Sequence, residues 1–543
     1  MNAKPGQFVD KEVGTHLRFR SPPSKSLLST FALAALLAVI ATPSAIANTV
    51  YVANNGGDNV RTIDTATNQL VGAPIPVGMG PSAVAITPDG RRAYVANSLS
   101  GDVSVIDTAT GSSAIGGRIA VPGLPFGVAI SPDGRRAYVA NLGDASVTVI
   151  DTSTNAVVGA PIAVGEGPEG IAVSPDGSRV YVVNRTSGNI SVIDTATNRV
   201  LGPPITIGKE PIGIALTPDG SRAYVPLSDS GSVMAIDLAS GSPLGDPIPV
   251  GPRPGAVAIT PDGRRAYVAN VGGASVSVVD IAANSVVGAP IPVGQTPVGI
   301  TIAPDGKRAY VANEGSSDVS VIDLSTNQPV GEPIDVGERV YALAVTPNQP
   351  PLATFTAGTR ARPGIPVRFD ASASSDPDGQ IATYSWSFGD GGAEALGTPG
   401  TAHVFAAPGT YRVSLTLTDA EGCGASRIFT GQTAFCSGPG SATLPVRVAY
   451  PGVRVYCPRR ARRAGCRFKV TAVARRPAAS RKPKSESAPG MAKAKAGRKA
   501  IVSLVPRAAF RNRLATARRV LVREVAMIGR SRSVHYRRLA IVR

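Results

Sequence analysis

Tyr181-Val182-Val183-Asn184, Asn189-Ile190-Ser191-Val192-Ile193-Asp194-Thr195-Ala196-Thr197-Asn198 and Pro175-Asp176-Gly177 are parts of one unit that the chain repeats seven times. The unit restarts at Tyr51, Tyr94, Tyr138, Tyr181, Tyr224, Tyr267 and Tyr310, with a period of 43 residues and one unit of 44. A fixed period of this size marks a solenoid, a propeller or an array. Inside the unit small polar and apolar residues alternate and β-branched residues dominate, which is the period of strands. Four short strands are expected per unit, at 170–174, 180–183, 190–193 and 200–207 in the unit around Tyr181. Pro175-Asp176-Gly177 supplies the first turn, because Pro presets φ and Gly accepts φ > 0. Four antiparallel strands every ~40–45 residues describe a propeller blade.

The ends of the array predict how the ring closes. The repeats begin at a second strand, 50–53, and finish with a lone first strand, 341–346, so one blade is expected to be built from both ends. Such closure removes open sheet edges. The motifs YVAN, VIDT-x-T-N, PIPVG and PDGRRAYV, recurring in order over residues 48–350, resemble the YVTN family of β-propeller repeats of bacterial and archaeal surface proteins. That resemblance implies a seven-bladed propeller in an all-β chain. Val225-Pro226-Leu227, where other units have an Asn, predicts a bulge in that second strand.

Beyond residue 350 the period stops. Pro366-Val367-Arg368-Phe369-Asp370, Tyr384-Ser385-Trp386-Ser387-Phe388-Gly389-Asp390-Gly391 and Gly409-Thr410-Tyr411-Arg412-Val413-Ser414-Leu415 read as a β-sandwich over 351–450. These motifs resemble a PKD domain, an immunoglobulin-like module of extracellular proteins. Trp386, the one Trp of the chain, is expected in the core, His403 in a structural role, and Asp376, Asp378 and Asp390 are carboxylates that suit calcium but fit a turn better. No metal or cofactor is expected.

The first 47 residues read as an export signal: basic residues through Lys25, an apolar run 27–40, then Ala45-Ile46-Ala47 as a small-x-small cleavage site. An exported chain meets an oxidising medium, and Cys423, Cys436, Cys457 and Cys466 are expected to form disulfides there, Cys423 with Cys436 and Cys457 with Cys466, other pairings being open. Residues 451–543 hold 27 Lys+Arg against two acids, whereas residues 48–450 carry a net charge of −10. A basic β-module interrupted by a disordered stretch at 478–499 is expected, with strands around 467–470 and 520–525. Polybasic segments favour anionic surfaces, so an anionic envelope polymer, rather than nucleic acid, is the expected partner of the tail.

The propeller units contain no His and no Cys, which removes the commonest general base and covalent nucleophile. Asp64, Asp107, Asp151, Asp194, Asp237, Asp280 and Asp323 repeat in one turn and therefore serve the blade. On these grounds the chain is expected to be a non-enzymatic, secreted or cell-surface module binding a protein or glycan. A lactonase-like hydrolase with a carboxylate-based channel site is the alternative. The connections that vary between repeats are expected on one face around the channel mouth. They present Met79, Leu124, Phe126, Glu166, Glu169, Lys209, Glu210, Arg253, Gln295, Glu338 and Arg339 as binding residues, with Asp58, Leu99, Asp144, Arg185 and Glu314 beside them.

Overall fold

The computed structural model describes residues 49–113, 117–358, 361–419 and 440–449 in full, and the backbone of six strands between 452 and 542. Every regular element among them is a strand. The export signal, the predicted cleavage site and the cysteine side chains lie outside the described residues.

Seven antiparallel sheets form the blades, numbered here along the chain. Blade 4 shows the pattern: Pro168–Val173 innermost, then Arg179–Asn184, Asn189–Asp194 and an outer edge. That edge is two pieces, Arg199–Val200 and Ile205–Thr206, both paired to the third strand. The sequence suggests one continuous strand. Gly202 at φ 60° and the two prolines after it interrupt the ladder, since Pro donates no N–H. Blade 1 combines Thr49–Asn54, Asn59–Asp64 and Gln69–Pro76 with Val340–Val345, so the last strand of the array pairs with the first. Ring closure through a shared blade follows the sequence reading.

The repeated residues join one blade to the next. Tyr94 Oη donates to Asn155 Oδ1 at 2.7 Å, Tyr267 to Asn327 at 2.7 Å and Tyr310 to Asn68 at 3.1 Å. Each link runs from the second strand of one blade to the outer turn of the following blade. Arg308 donates to the Thr65 carbonyl at 2.6 Å and fastens blade 7 to blade 1. Asn68, Asn155 and Asn327 stand in the left-handed region at φ 55–56°, which Asn tolerates better than most residues. Burial raises the Tyr310 phenol to about 12, although Arg308 opposes the shift. The repeated aspartates are structural, as expected: Asp64 Oδ1 accepts from the backbone N–H of Ala66 and Thr67 at 2.9 and 2.8 Å.

Blade 5 departs from the pattern, though not by the expected bulge. Arg222–Leu227 pairs in unbroken register with Ser232–Asp237. Its innermost strand shrinks instead to Ala215–Leu216, with an isolated bridge from Pro211 to Leu227. Pro226 has no N–H to give the inner neighbour, so the ladder is lost on that side.

The sandwich stacks the sheet of Thr356–Ala357, Pro366–Asp370 and Gly400–Val404 with that of Ala393–Leu396, Ile381–Ser387, Gly409–Asp419 and Gly440–Val448. Trp386 is 1% exposed among Phe369, Phe388, Leu415 and Leu417, as a core residue should be. His403 stacks on Phe388 with ring centres 4.0 Å apart and lies 2.8 Å from Asp390. Asp390 is thereby drawn away from Asp376 and Asp378, with which sequence groups it. Burial raises both Asp376 and Asp378, Asp378 to about 8, the Asp419 carboxylate adding to the rise in each and the backbone N–H of Gln349 opposing it in Asp378. Among the described residues no set of His, Cys, Asp or Glu side chains is arranged to hold a metal ion.

In the tail, Arg519–Ile528 and Ser531–Val542 lie centrally in a six-stranded sheet. Gly490–Ala494, inside the stretch expected to be disordered, pairs with Cys466–Ala472.

Candidate active site at the channel mouth

The inner strands enter the channel through a shared irregularity. In six blades the pairing between innermost and second strand slips where the chain enters the inner strand: between Pro81 and Ala83, Pro168 and Ile171, Pro254 and Ala256, Pro297 and Gly299, and opposite Asn141 and Asn54. The residues skipped are Ser82, Phe126, Glu169, Gly255, Val298 and Tyr341, with Gly170 also skipped in blade 4. A bulge re-aims its side chain out of the ladder, and these six all line one cavity of about 390 Å³ in the channel. Ile212 takes the corresponding place in blade 5. Small residues follow the bulges for a steric reason. A Cβ on Gly127 would stand 2.3 Å from the Glu169 carbonyl oxygen, and one on Gly299 would stand 2.7 Å from that of Tyr341.

The residue entering the inner strand is in the left-handed region in six connections: Gly80, Gly167, Glu210, Arg253, Thr296 and Arg339, at φ 48–67°. Two of these are glycine. For β-branched Thr296 at φ 54° this conformation is an outlier, with strain on the order of 1–3 kcal/mol. The non-glycine residues occupy four consecutive connections, so strained backbone and charge gather on one side of the mouth.

Two ionic groups stand there. Arg185 Nη1 lies 3.5 Å from Glu169 Oε2, and its Nη2 lies 3.7 Å from Glu210. Arg339 lies 2.8 Å from Glu314. Glu169 is 8% exposed. Burial raises its carboxyl above the usual range, the Arg185 charge pulls it back, and Glu210 raises it further. Across the channel Phe126 and Tyr341 meet edge to face, ring centres 5.6 Å apart. Burial raises the Tyr341 phenol, Glu169 and Glu314 add to the rise, and Arg185 and Arg339 oppose it.

The variable loops share one end of the ring. The turn N–H of Leu99 donates to the Met79 carbonyl at 3.1 Å, and that of Arg185 to the Gly167 carbonyl at 2.8 Å. Of the residues singled out from sequence, Phe126, Glu169 and Arg253 line the cavity, as do Arg185 and Glu314. Glu210 and Arg339 stand beside it through their ion pairs. Met79 and Leu124 are exposed apolar residues on the rim, and Glu166, Lys209, Gln295 and Glu338 are exposed outside the cavity. Asp58 is drawn into the loops, accepting from the Gly80 N–H at 2.8 Å. Tyr341 escapes the sequence reading because its strand draws attention as the closing one. Its signal is the residue two places into each inner strand, which reads Ser82, Phe126, Glu169, Ile212, Gly255, Val298 and Tyr341, without repetition.

Comparison with known proteins bears on this geometry. Residues 39–203 match the family model described as lactonase, 7-bladed β-propeller, and residues 348–432 match that of the PKD domain. The propeller and PKD parts of the resemblance stand, while the YVTN designation is an expectation from motifs. A microbial collagenase of Vibrio alginolyticus is 36% identical over 83 residues, 15% of this chain and 10% of that relative's length. Among solved structures, the hydrazine synthase of Kuenenia stuttgartiensis aligns at 28% identity and TM-score 0.47, over 52% of this chain and 93% of its own. The periplasmic gluconolactonase PpgL of Pseudomonas aeruginosa aligns at 21% identity and TM-score 0.47, over 55% and 99%. The lactonase match includes Glu169 and Arg185, and it overturns the expectation that the chain is not an enzyme. That expectation rested on missing His and Cys, and a buried carboxylate beside a guanidinium needs neither.

Proposed function

We propose that the channel mouth hydrolyses a cyclic ester, with Glu169 as general base. The observation that carries this reading is the Glu169 carboxylate, 8% exposed on its bulge beside Arg185, in the part of the chain that matches the lactonase model. A carboxyl that burial raises above the ordinary range, against the opposing pull of Arg185, suits proton transfer better than an exposed one. Glu169 takes a proton from water, and the hydroxide adds to the lactone carbonyl carbon. The Arg185 guanidinium faces the negative charge that gathers on the carbonyl oxygen, in a site where low dielectric strengthens the attraction. An extracellular setting with export through the leader belongs to the same proposal, and the PKD match supports it.

The test is release of acid from unsubstituted aliphatic δ- and γ-lactones by the purified chain. Glu169→Gln should lower kcat by ~10²-fold or more and leave the melting temperature unchanged. A parent chain that opens no lactone above the buffer rate would falsify the reading.

A further inference from the structure

We infer that Tyr341 is the proton donor to the departing ring oxygen, an assignment that rests on the hydrolase reading above. Lactone opening needs two proton transfers at different places: one from the attacking water, one to the alkoxide that leaves. Glu169 serves the first. For the second, the cavity offers few groups. Arg185, Arg253 and Glu314 are its other charged lining residues. A guanidinium does not release its proton at ordinary pH. Glu314 is engaged as an acceptor by Arg339, which donates two hydrogen bonds to its Oε1 at 2.8 and 3.2 Å. The propeller has neither His nor Cys. Tyr341 lines the same cavity and brings a phenol hydroxyl to it.

Its placement suits the task. Tyr341 is the bulge residue of Val340–Val345, so its side chain leaves the ladder toward the channel. The Phe126 ring, packed at 89° to the Tyr341 ring, limits where the phenol can point. It lines the same cavity as Glu169, Arg185 and Glu314, which places it among the ionic groups of the mouth. Burial, and then the Glu169 and Glu314 carboxylates, favour the neutral phenol against the opposing pull of Arg185 and Arg339, so the hydroxyl keeps a proton to give.

The step balances without a further reactant. Hydroxide, formed as Glu169 takes a proton from water, bonds to the carbonyl carbon. The tetrahedral species collapses, the C=O re-forms, and the ring C–O bond breaks with its electron pair passing to oxygen. That oxygen takes the Tyr341 proton. The phenolate is reprotonated through water by the carboxylic acid of Glu169, and one lactone plus one water has become one hydroxy acid.

A leaving-group comparison tests the assignment. An aliphatic δ-lactone expels an alkoxide, which needs a proton. Dihydrocoumarin expels a phenoxide, which leaves without one. Tyr341→Phe should lower kcat for the aliphatic lactone by ~10²–10⁴-fold, leave KM nearly unchanged, and lower kcat for dihydrocoumarin by less than about tenfold. Phe126→Leu, which disturbs the seat of the ring and removes no donor, should lower both rates by a common factor. Equal losses on both substrates for Tyr341→Phe, or no loss, overturn the assignment while leaving the hydrolase reading intact. A leaving-group-selective loss in Phe126→Leu also overturns it, because the selectivity would then come from packing. If the parent chain turns over neither lactone, the hydrolase reading falls and the assignment with it.

Discussion

The two ends of the propeller are made from the same seven units and put them to opposite uses. At one end Tyr, Asn, Asp and Arg recur, and each link between blades copies the last: Tyr94 to Asn155, Tyr267 to Asn327, Tyr310 to Asn68. At the other end the bulge position carries Ser82, Phe126, Glu169, Ile212, Gly255, Val298 and Tyr341 in turn. Repetition is useful where every blade meets the same neighbour. A small molecule bound in the channel would have no sevenfold symmetry, so the residues facing it have no reason to repeat. The difference gives a working rule: in a closed ring, constancy marks the fastening and irregularity marks the site.

The comparison breaks most visibly at the closing strand, which serves both ends. Deleting residues 340–345 should abolish cooperative melting of the propeller followed by circular dichroism, because it bares the inner edge of blade 1 and opens the ring there. Removing everything after residue 450 should leave that transition in place. A deletion that melts as the parent does would show that the ring does not depend on its shared blade.

Next in size is the effect of the mouth on chemistry alone. On the proposed reading, lactone opening should rise with pH through a carboxyl value above the ordinary Glu range near 4.3, since the proposed base, Glu169, would act ionised and burial raises it. Glu169→Gln should remove both the rate and its pH dependence. A pH profile in the parent that is flat from 4 to 8, roughly the span of an ordinary to a strongly raised carboxyl, would separate Glu169 from the rate.

Asn68→Ala tests the opposite end. It deletes the acceptor for Tyr310 and Arg308 and puts Ala at φ 55°, and should cost about 1–3 kcal/mol with lactone turnover unchanged. Asn68→Gly should lose less, because Gly keeps the backbone conformation. A loss of turnover at full stability in either variant would dissolve the division between the two ends.

The smallest expected effect lies outside the ring. Asp378 is raised to about 8 in the folded sandwich, well above the ~3.9 of an unfolded aspartate. The folded state therefore holds a proton that the unfolded state releases, so this contribution is present below about pH 4 and is lost as pH rises through about 8. Trp386 fluorescence should report a sandwich transition that weakens over this window, and Asp378→Asn should flatten the slope.

Much of this architecture is legible in the chain. The period gives the blades, the orphan strand gives the closure, and Pro-Asp-Gly with Asp-Thr-x-x-Asn gives the turns of the constant end. The bulges are not legible, because an extra residue shows itself only against the register of a partner strand. For the same reason Tyr341 reads as an ordinary strand residue. Comparing repeats finds Glu169 and Phe126, but without the bulge nothing separates them from Glu166 or Lys209, which stand outside the cavity. Pro226 shows the same limit: sequence says that a hydrogen bond is missing there, and only the sheet says which neighbour loses it.

The shared blade also sets a sequence of events in time. The Thr49 N–H donates to Thr346 Oγ1 at 2.7 Å, across 297 positions of chain. Bringing such distant ends together costs roughly 5 kcal/mol in loop-closure entropy. At synthesis rates of about 5–20 residues per second, the first strand waits on the order of 15–60 s for its partner. Until then blade 1 has a bare inner edge, open to pairing with another chain. The segment that ends the wait is also the one that carries Tyr341 to Phe126, so the ring is sealed and its cavity furnished in a single act, and no shorter intermediate of the chain holds the complete set of mouth residues.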